Sequence, residues 1–425
     1  MLHKCLFSVG FISVLGFGCG GAQSASPLGN DGGAPSVDAA PASLADSQWG
    51  VLQPWQTPIA DYIAAAGKKF GRSKLHKSID DLMVFDDRLY LGYGDGSLNA
   101  GEVTPIQIRS WMSPDDAAPT AEAIAGVDDK FVATKASSEE EIAFYRRFGD
   151  KLYIPGVDAM QDDFIGNVFD RALGGGWIRH RTVQGGVHVQ DIAEWHGDLY
   201  ACGSGTLNLD QWNTGMEHAW VRRSQDGGST FSDVADEPNP EIGDRRFTAL
   251  LPLENELYAF GYATDENNQL LAVLSQSWDG NTMSPSDVAS KYVVFGAESF
   301  SKDTGVLRAA TATGTSVYQT LLVKAGKATP VEAVLHQTVL DISVTEPGKA
   351  LLLATAGDAI PLPPTLSNVD VLYTEDLVSF KTLFSFAPPS LPTAIAAWRG
   401  TIYIGFDDGS VWRSVPNESV RLQAQ

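Results

Sequence analysis

Asp191-Ile-Ala-Glu-Trp-His-Gly-Asp-Leu-Tyr-Ala-Cys-Gly203 decides the fold, because versions of it recur along the chain. It reads as an apolar-alternating strand, a polar turn at His196-Gly197-Asp198, and a second strand that carries Leu199-Tyr200 and ends at Gly203. Alternation on both sides of a Gly-containing turn predicts a β-hairpin. Copies fall at 82–94, 145–156, 250–261, 310–321, 342–354 and 395–405. Such a repeat overrides the two or three domains that 425 residues would otherwise suggest, since stacked repeats share one continuous core.

The middle residues of the second strands are Tyr90, Tyr153, Tyr200, Tyr258, Tyr318, Leu352 and Tyr403. Their mean spacing is about 52 residues, close to one four-stranded propeller blade with generous loops. Aligning on them also aligns Phe85, Phe148, Trp195, Leu253 and Trp398, a periodic bulky residue suited to packing between blades. The prediction is an all-β, seven-bladed β-propeller over 79–416; the short step from Tyr318 to Leu352 leaves six or eight blades as alternatives. The last blade runs out of chain after 410–415. A ring must close to hide its edge strands, so the missing strand is expected from 48–56, where Trp49, Val51 and Trp55 alternate.

Outside the ring the chain reads differently. Lys4 precedes an uncharged apolar run from Cys5 to Phe17, which makes 1–18 an export signal too short to span a bilayer as a mature helix. Leu15-Gly16-Phe17-Gly18-Cys19-Gly20 resembles a bacterial lipobox. That resemblance implies lipidation at Cys19, a membrane partner through the lipid anchor, and a place in the cell envelope as an outer-membrane lipoprotein on its periplasmic or surface face. Ordinary cleavage near Ala22-Gln23-Ser24, giving a secreted protein, is the alternative. Residues 19–47 are rich in Gly, Ala, Ser and Pro and read as a flexible tether. Residues 48–78 are expected to hold one helix, over 58–69, and 417–425 form a polar tail. With Cys5 lost and Cys19 lipidated, Cys202 stands alone, so no intramolecular disulfide is expected and Cys202 reads as a buried small hydrophobe.

A net charge of −22 excludes a phosphate backbone as partner, so no nucleic acid is expected, and a monomer is. Lys68, Lys69, Arg72, Lys74 and Lys77 form a local basic cluster, read as a solvated face or as a contact for acidic headgroups or glycans. Ser224-Gln-Asp-Gly-Gly-Ser-Thr-Phe231 fits Ser/Thr-x-Asp-x-Gly-x-Thr-Phe, and weaker echoes occur at 277–283 and 374–380. It resembles the Asp-box of the bacterial neuraminidase repeat. The resemblance implies a structural role for Ser224, Asp226, Gly228, Thr230 and Phe231, in a turn remote from any active site.

Three groups are candidates for function. Asp81, Asp191 and Asp341 occupy one position of the first strand in three blades. First strands line a propeller's channel, so these carboxylates either converge there on a cation or substrate or bond to the backbone of the next blade. Residues 177–191 gather His180, Arg181 and His188 beside Asp191 at one crossing between blades, while Arg146, Arg246 and Arg308 lie near other first strands. Asp95 and Asn99, in a Gly-rich loop, are turn formers or a weak Ca²⁺ site; no other cofactor is expected. The Arg-Ile-Pro motif of neuraminidases is missing, as are Gly-x-Ser-x-Gly and His-Glu-x-x-His. Two readings follow: a binding platform for a protein, peptide or glycan, favoured because no catalytic motif occurs, and a glycan-active hydrolase or lyase using channel carboxylates as acid and base.

Overall fold

The computed structural model describes residues 23–24, 44, 49–126, 135–160, 163–206, 208, 210, 217–238, 244–267, 269–312, 317–357 and 368–415. The segment read as an export signal, Cys19 and the expected polar tail lie outside them. Within the segment read as a tether, Gln23–Ser24 pairs in parallel with Arg147 and Phe148.

The described strands form seven sheets built on antiparallel hairpins, and in all but the last an inner hairpin is followed by two outer strands in chain order. Blade 3 shows the pattern: His188–Trp195, Asp198–Gly205, His218–Ser224 and Ser232–Pro238 pair in sequence. The chain is a seven-bladed β-propeller. Inner strands are buried on both faces and read as near-continuous apolar runs, as in Lys349–Ala356, whereas the outermost strand of the same blade, Lys381–Phe386, is mostly open to solvent. Two-residue turns join the inner hairpins of blades 1, 3 and 7, with both residues at positive φ in Asp86-Asp87, His196-Gly197 and Arg399-Gly400. These are the left-handed conformations that match the twist of tightly paired strands.

Blade 5 corrects the sequence reading. Its inner hairpin is Tyr292–Ser301 with Thr304–Thr311, and Tyr318 lies on the third strand, Tyr318–Lys324. Gly305-Val306 stands where blades 1 to 4 carry Leu-Tyr. A Cβ at Gly305 would come within 2.6 Å of Leu251 of blade 4, so the signature residue was replaced by one that lets the blades approach. Placing the blade marker at Val306 evens out the short step before Leu352.

The aligned bulky residues do pack between blades. Trp195 of blade 3 is buried and its indole N–H donates to Leu253 O of blade 4 at 2.6 Å. Trp398 of blade 7 repeats the contact by donating to Asp87 O of blade 1 at 3.2 Å. The outer strand of blade 7 comes from the opposite end of the chain: Gln53–Gln56 pairs antiparallel with Val411–Ser414. Trp55 then lies 4.7 Å from the Trp111 ring of blade 1 and 4.8 Å from Tyr403 of blade 7, and the Trp111 indole donates to Gln56 Oε1 at 2.8 Å. First and last blades are thus joined by hydrogen bonding and by aromatic packing.

The single α-helix among the described residues, Ala60–Phe70, begins two residues after Pro58 and places Asp61 in its first turn and Lys68 and Lys69 in its last, complementing the helix dipole. Gly71, at φ 87°, ends it. The helix is held on blade 1 by a two-pronged pair from Arg109 to Asp61, at 2.6 and 2.9 Å, and by Tyr62 edge-on to Tyr93. From there the chain runs through His76 to Asp80 and enters the first blade.

Candidate functional site: the ring axis and the acidic face

Around the axis, Asp81, Asp191 and Asp341 play one structural part. Each carboxylate accepts a backbone N–H from the first strand of the next blade: Tyr145 N at 2.7 Å, Leu250 N at 2.8 Å and Ile395 N at 2.9 Å. First strands of neighbouring blades fan apart and do not pair, so such an inward-facing amide has no strand partner, and the Asp supplies the acceptor. In blades 3 and 6 the Asp sits just after a register shift in its strand, which turns it toward its neighbour. Of the two readings drawn from the sequence, the geometry follows bonding to the next blade's backbone.

Arginines fill what remains of the axis. Arg146 grips Asp191 with Nε and Nη2, both at 2.8 Å, and donates Nη1 to Glu298 at 2.9 Å. Arg308 lies 3.5 Å from Asp341 and donates to Leu340 O. All five side chains are at most 4 % exposed. Burial raises the Asp341 carboxyl to about 6, against the pull of Arg308 and the Ile395 amide. Burial also drives Glu298 well above the carboxylate range, although Arg146 and Arg308 oppose it. Arginines and backbone amides thus engage each of these axial carboxyls.

The other candidates do not meet. His180 bonds Asp170 at 2.5 Å across the two outer strands of blade 2, and Arg181 pairs with Asp163. His188 lies instead on the face where inner strands begin, 3.2 Å from Ser204 Oγ and 3.9 Å from both Asp158 and Glu217; Asp191 turns away to Arg146, so the two form no dyad. Burial and the Arg246 guanidinium lower His188 to about 4. Arg246 pairs with Asp244, far from a three-arginine convergence. Asp95 and Asn99 are placed as turn formers, the first of the two roles read for them. Asp95 Oδ1 accepts from Ser97 Oγ at 2.6 Å and Leu98 N at 3.2 Å, its Oδ2 takes the His76 amide at 2.7 Å, and Asn99 adopts φ 50°. Cys202 is fully buried, with its Sγ 3.6 Å from Phe247 O.

The Ser224–Phe231 turn joins the outer strands of blade 3. Asp226 accepts from Thr230 N at 2.8 Å, Thr230 Oγ1 at 2.7 Å and Ser224 Oγ at 2.8 Å, while Gly227 and Gly228 supply positive φ. Hydrogen bonds from Thr230, then from Ser224, hold its carboxyl down at about 2. Asp279 and Asp376 collect turn amides in the same part of blades 4 and 6. Thr182 and His180 of blade 2 abut the blade 3 turn at Gly228, which makes it a joint between blades. Replacing Asp226 by Ala should speed amide exchange at Thr230 by about tenfold or more, measured by hydrogen exchange, while the inner strands exchange as before; an unchanged Thr230 rate would remove Asp226 from this role.

Sequence reasoning missed the feature of this face that is chemically most unusual. Along blades 1 to 3 run His76, Asp80, Glu139, Glu140, Glu141, Asp158 and Glu217. Asp80 and Glu139 are 0 % exposed, and Asp80 Oδ2, Glu139 Oε2 and Glu140 Oε1 are buried with no hydrogen-bond partner. Burial raises Glu139 to about 8, against Asn167 and Arg179, and raises Glu140 to about 7 against the Gly101 amide. For His76 burial acts downward, but Asp80, Glu141 and Asp95 outweigh it and bring the imidazole up to about 9. The Ser137-Ser-Glu-Glu-Glu141 run was visible in the sequence, yet a run of acids ordinarily marks a solvated face. A separate cavity of about 150 Å³ lies on the flank between blades 2 and 3, lined by Trp220, Arg222, His218 and Phe231. The Arg222 guanidinium sits 4.7 Å above the Trp220 ring there.

These features define a class, a seven-bladed propeller with a charge-filled axis and an acidic, histidine-bearing face. No family model matches the chain, and no curated protein matches it. Among solved structures it is similar to the Neurospora crassa Pan2 WD40 domain, with 11 % identity, TM-score 0.44, and 88 % of this chain and 97 % of that one covered. It is also similar to YCF48 bound to D1 peptide, at 14 % identity and TM-score 0.40, covering 80 % of this chain and 93 % of that one. For BamB from Moraxella catarrhalis the values are 11 % and 0.34, with 79 % and 82 % covered. These likenesses are to other propellers, and the strand order of this chain carries the fold assignment by itself.

Proposed function

We propose that the chain is an exported, lipid-anchored propeller of the cell envelope that binds a protein, peptide or glycan without transforming it. The observation that carries this reading is the filled axis. Arg146 and Arg308 engage Asp191, Glu298 and Asp341, and the backbone of the next blade takes Asp81, so each of these carboxyls already serves a partner within the ring, which favours binding over glycan cleavage. The fold fits a binding or scaffold role, and the turn geometry at Asp226, Asp279 and Asp376 supports the neuraminidase-repeat resemblance as a matter of architecture. Lys4, the apolar run after it and Cys19 support export and anchoring. Among the described residues no helix is long and apolar enough to cross a membrane.

Two measurements test the proposal. Metabolic labelling with a fatty-acid probe should mark the wild-type chain and not Cys19→Ser; equal labelling would remove the anchor. The full chain in detergent should bind members of a glycan or peptide array while a hydrolysis screen on the same compounds stays at background. Turnover that disappears in Asp341→Asn would overturn the platform reading in favour of an enzyme.

A further inference from the structure

We propose that His76, Asp80 and Glu141 bind one divalent transition-metal cation, with Zn²⁺ the best match, at the seam where the last blade meets the first. The imidazole nitrogen and the two carboxylate oxygens lie within 4.8 Å of one another. His76 Nδ1 is 3.2 Å from Gly94 O, where Nδ1–H donates, so Nε2 is the nitrogen turned toward Asp80; it meets Ser78 Oγ at 3.1 Å, and a bound ion would take the place of the proton Nε2 shares with that hydroxyl. Nε2 is 3.6 Å from Asp80 Oδ1, close to the separation of two ligands each about 2 Å from a shared ion. A ligating histidine is commonly held by a backbone carbonyl that accepts from its other ring nitrogen.

Asp80 provides the independent reason to expect a ligand. The residue is fully buried, Ser78 Oγ donates to its Oδ1, and its Oδ2 has no partner. A buried carboxylate oxygen left bare is costly, and an ion held by both Asp80 oxygens would satisfy it. Glu141 is held in place by the Gly96 amide on its Oε2 at 3.2 Å and by pairing of Glu141 with Gly94. Only glycine permits that approach, since a Cβ at residue 94 would fall 2.4 Å from Glu141 Cα. Gly94 therefore orients the histidine and also admits the third ligand. One imidazole with two carboxylates suits Zn²⁺ and its neighbours, whereas Ca²⁺ seeks six to eight oxygens.

The location gives the ion a structural task. His76 and Asp80 belong to the connection between the helix and blade 1, and Glu141 lies on the strand Glu141–Ile142 that leads to blade 2. Between the two histidine-side ligands and the ring, Ile79 N donates to Phe406 O at 3.0 Å and Thr393 Oγ1 donates to Ile79 O at 2.6 Å, both from blade 7. An ion here ties the entry segment to blade 1 beside the closing seam.

The test uses the full chain in detergent, stripped with chelator and titrated with Co²⁺ and then Zn²⁺. The wild type should take up one ion per chain, show Co²⁺ ligand-field absorption that Zn²⁺ displaces, and melt at a higher temperature when loaded. Asp80→Asn removes a buried charge and so keeps the chain folded, but it should weaken Zn²⁺ binding by more than about 100-fold, beyond the loss of an outer-shell partner; His76→Gln should do the same. A wild type that takes up no Co²⁺ or Zn²⁺ at one equivalent overturns the proposal. So does uptake unchanged in both variants, or an imidazole of His76 that keeps its Nε2 proton in the Zn²⁺-loaded chain by nitrogen NMR.

Discussion

Arg146→Ala should destabilise the propeller by about 3–5 kcal/mol, read as a lower midpoint in urea unfolding with an unchanged slope. Arg146 holds Asp191 by two bonds and Glu298 by a third, and all three residues are sealed from water. Removing the guanidinium leaves two carboxylates buried without their counter-charge, and that penalty, more than the lost attraction, sets the magnitude. The defect should shrink in acid. A carboxyl whose folded pKa lies above its unfolded value binds protons more tightly when folded, so stability rises as pH falls through the folded pKa. Glu298 is already shifted upward in the wild type, and losing Arg146 moves it further the same way. The wild type carries a weaker slope of the same sign from Asp341, whose cost is present above about 6 and relieved as pH falls toward its ordinary 3.8. An Arg146→Ala variant whose deficit grows toward pH 5 would contradict this account.

Loss of the strand Gln53–Gln56 should be still more damaging. Deleting residues 49–57 exposes the edge of Val411–Ser414 and uncovers Trp111 and Tyr403, both buried in the intact ring. An open edge beside bared aromatic surface is a template for association, so the truncated chain should elute as oligomers on gel filtration and lose its single cooperative melt. Trp55→Ala separates the two contributions, since it keeps the backbone pairing and removes the ring that bridges Trp111 and Tyr403. It should remain monomeric and lose about 3 kcal/mol. A truncated chain that stays monomeric with an unchanged melt would show that the ring does not depend on this strand.

Legibility in the sequence divides along physical lines. Strand periodicity, Gly-containing turns and a bulky residue before each second strand are local and repeat, so blades 1 to 4, 6 and 7 could be read directly. Blade 5 could not be, because Gly305-Val306 answers to Leu251 in the neighbouring blade, a contact invisible along the chain. Of the site candidates, Asp81, Asp191 and Asp341 were visible as a repeating position. Whether they faced a cation or the next backbone depended on where the amides of Tyr145, Leu250 and Ile395 lie in space.

By itself, then, the sequence determined the all-β repeat and the number of hairpins, because these rest on composition and on spacings within one or two strands. The tertiary structure decided which charges are buried and with what. Arg146 meets Glu298 from across the ring, and His76 meets Glu141 because the chain doubles back at Gly94. The stretch from Asp191 to Gly203 contains both kinds of information. Its turn and its Leu199-Tyr200 are fixed by local preference, whereas the part played by Asp191 depends on an arginine of blade 2 and an amide of blade 4, which only closure of the ring brings to it.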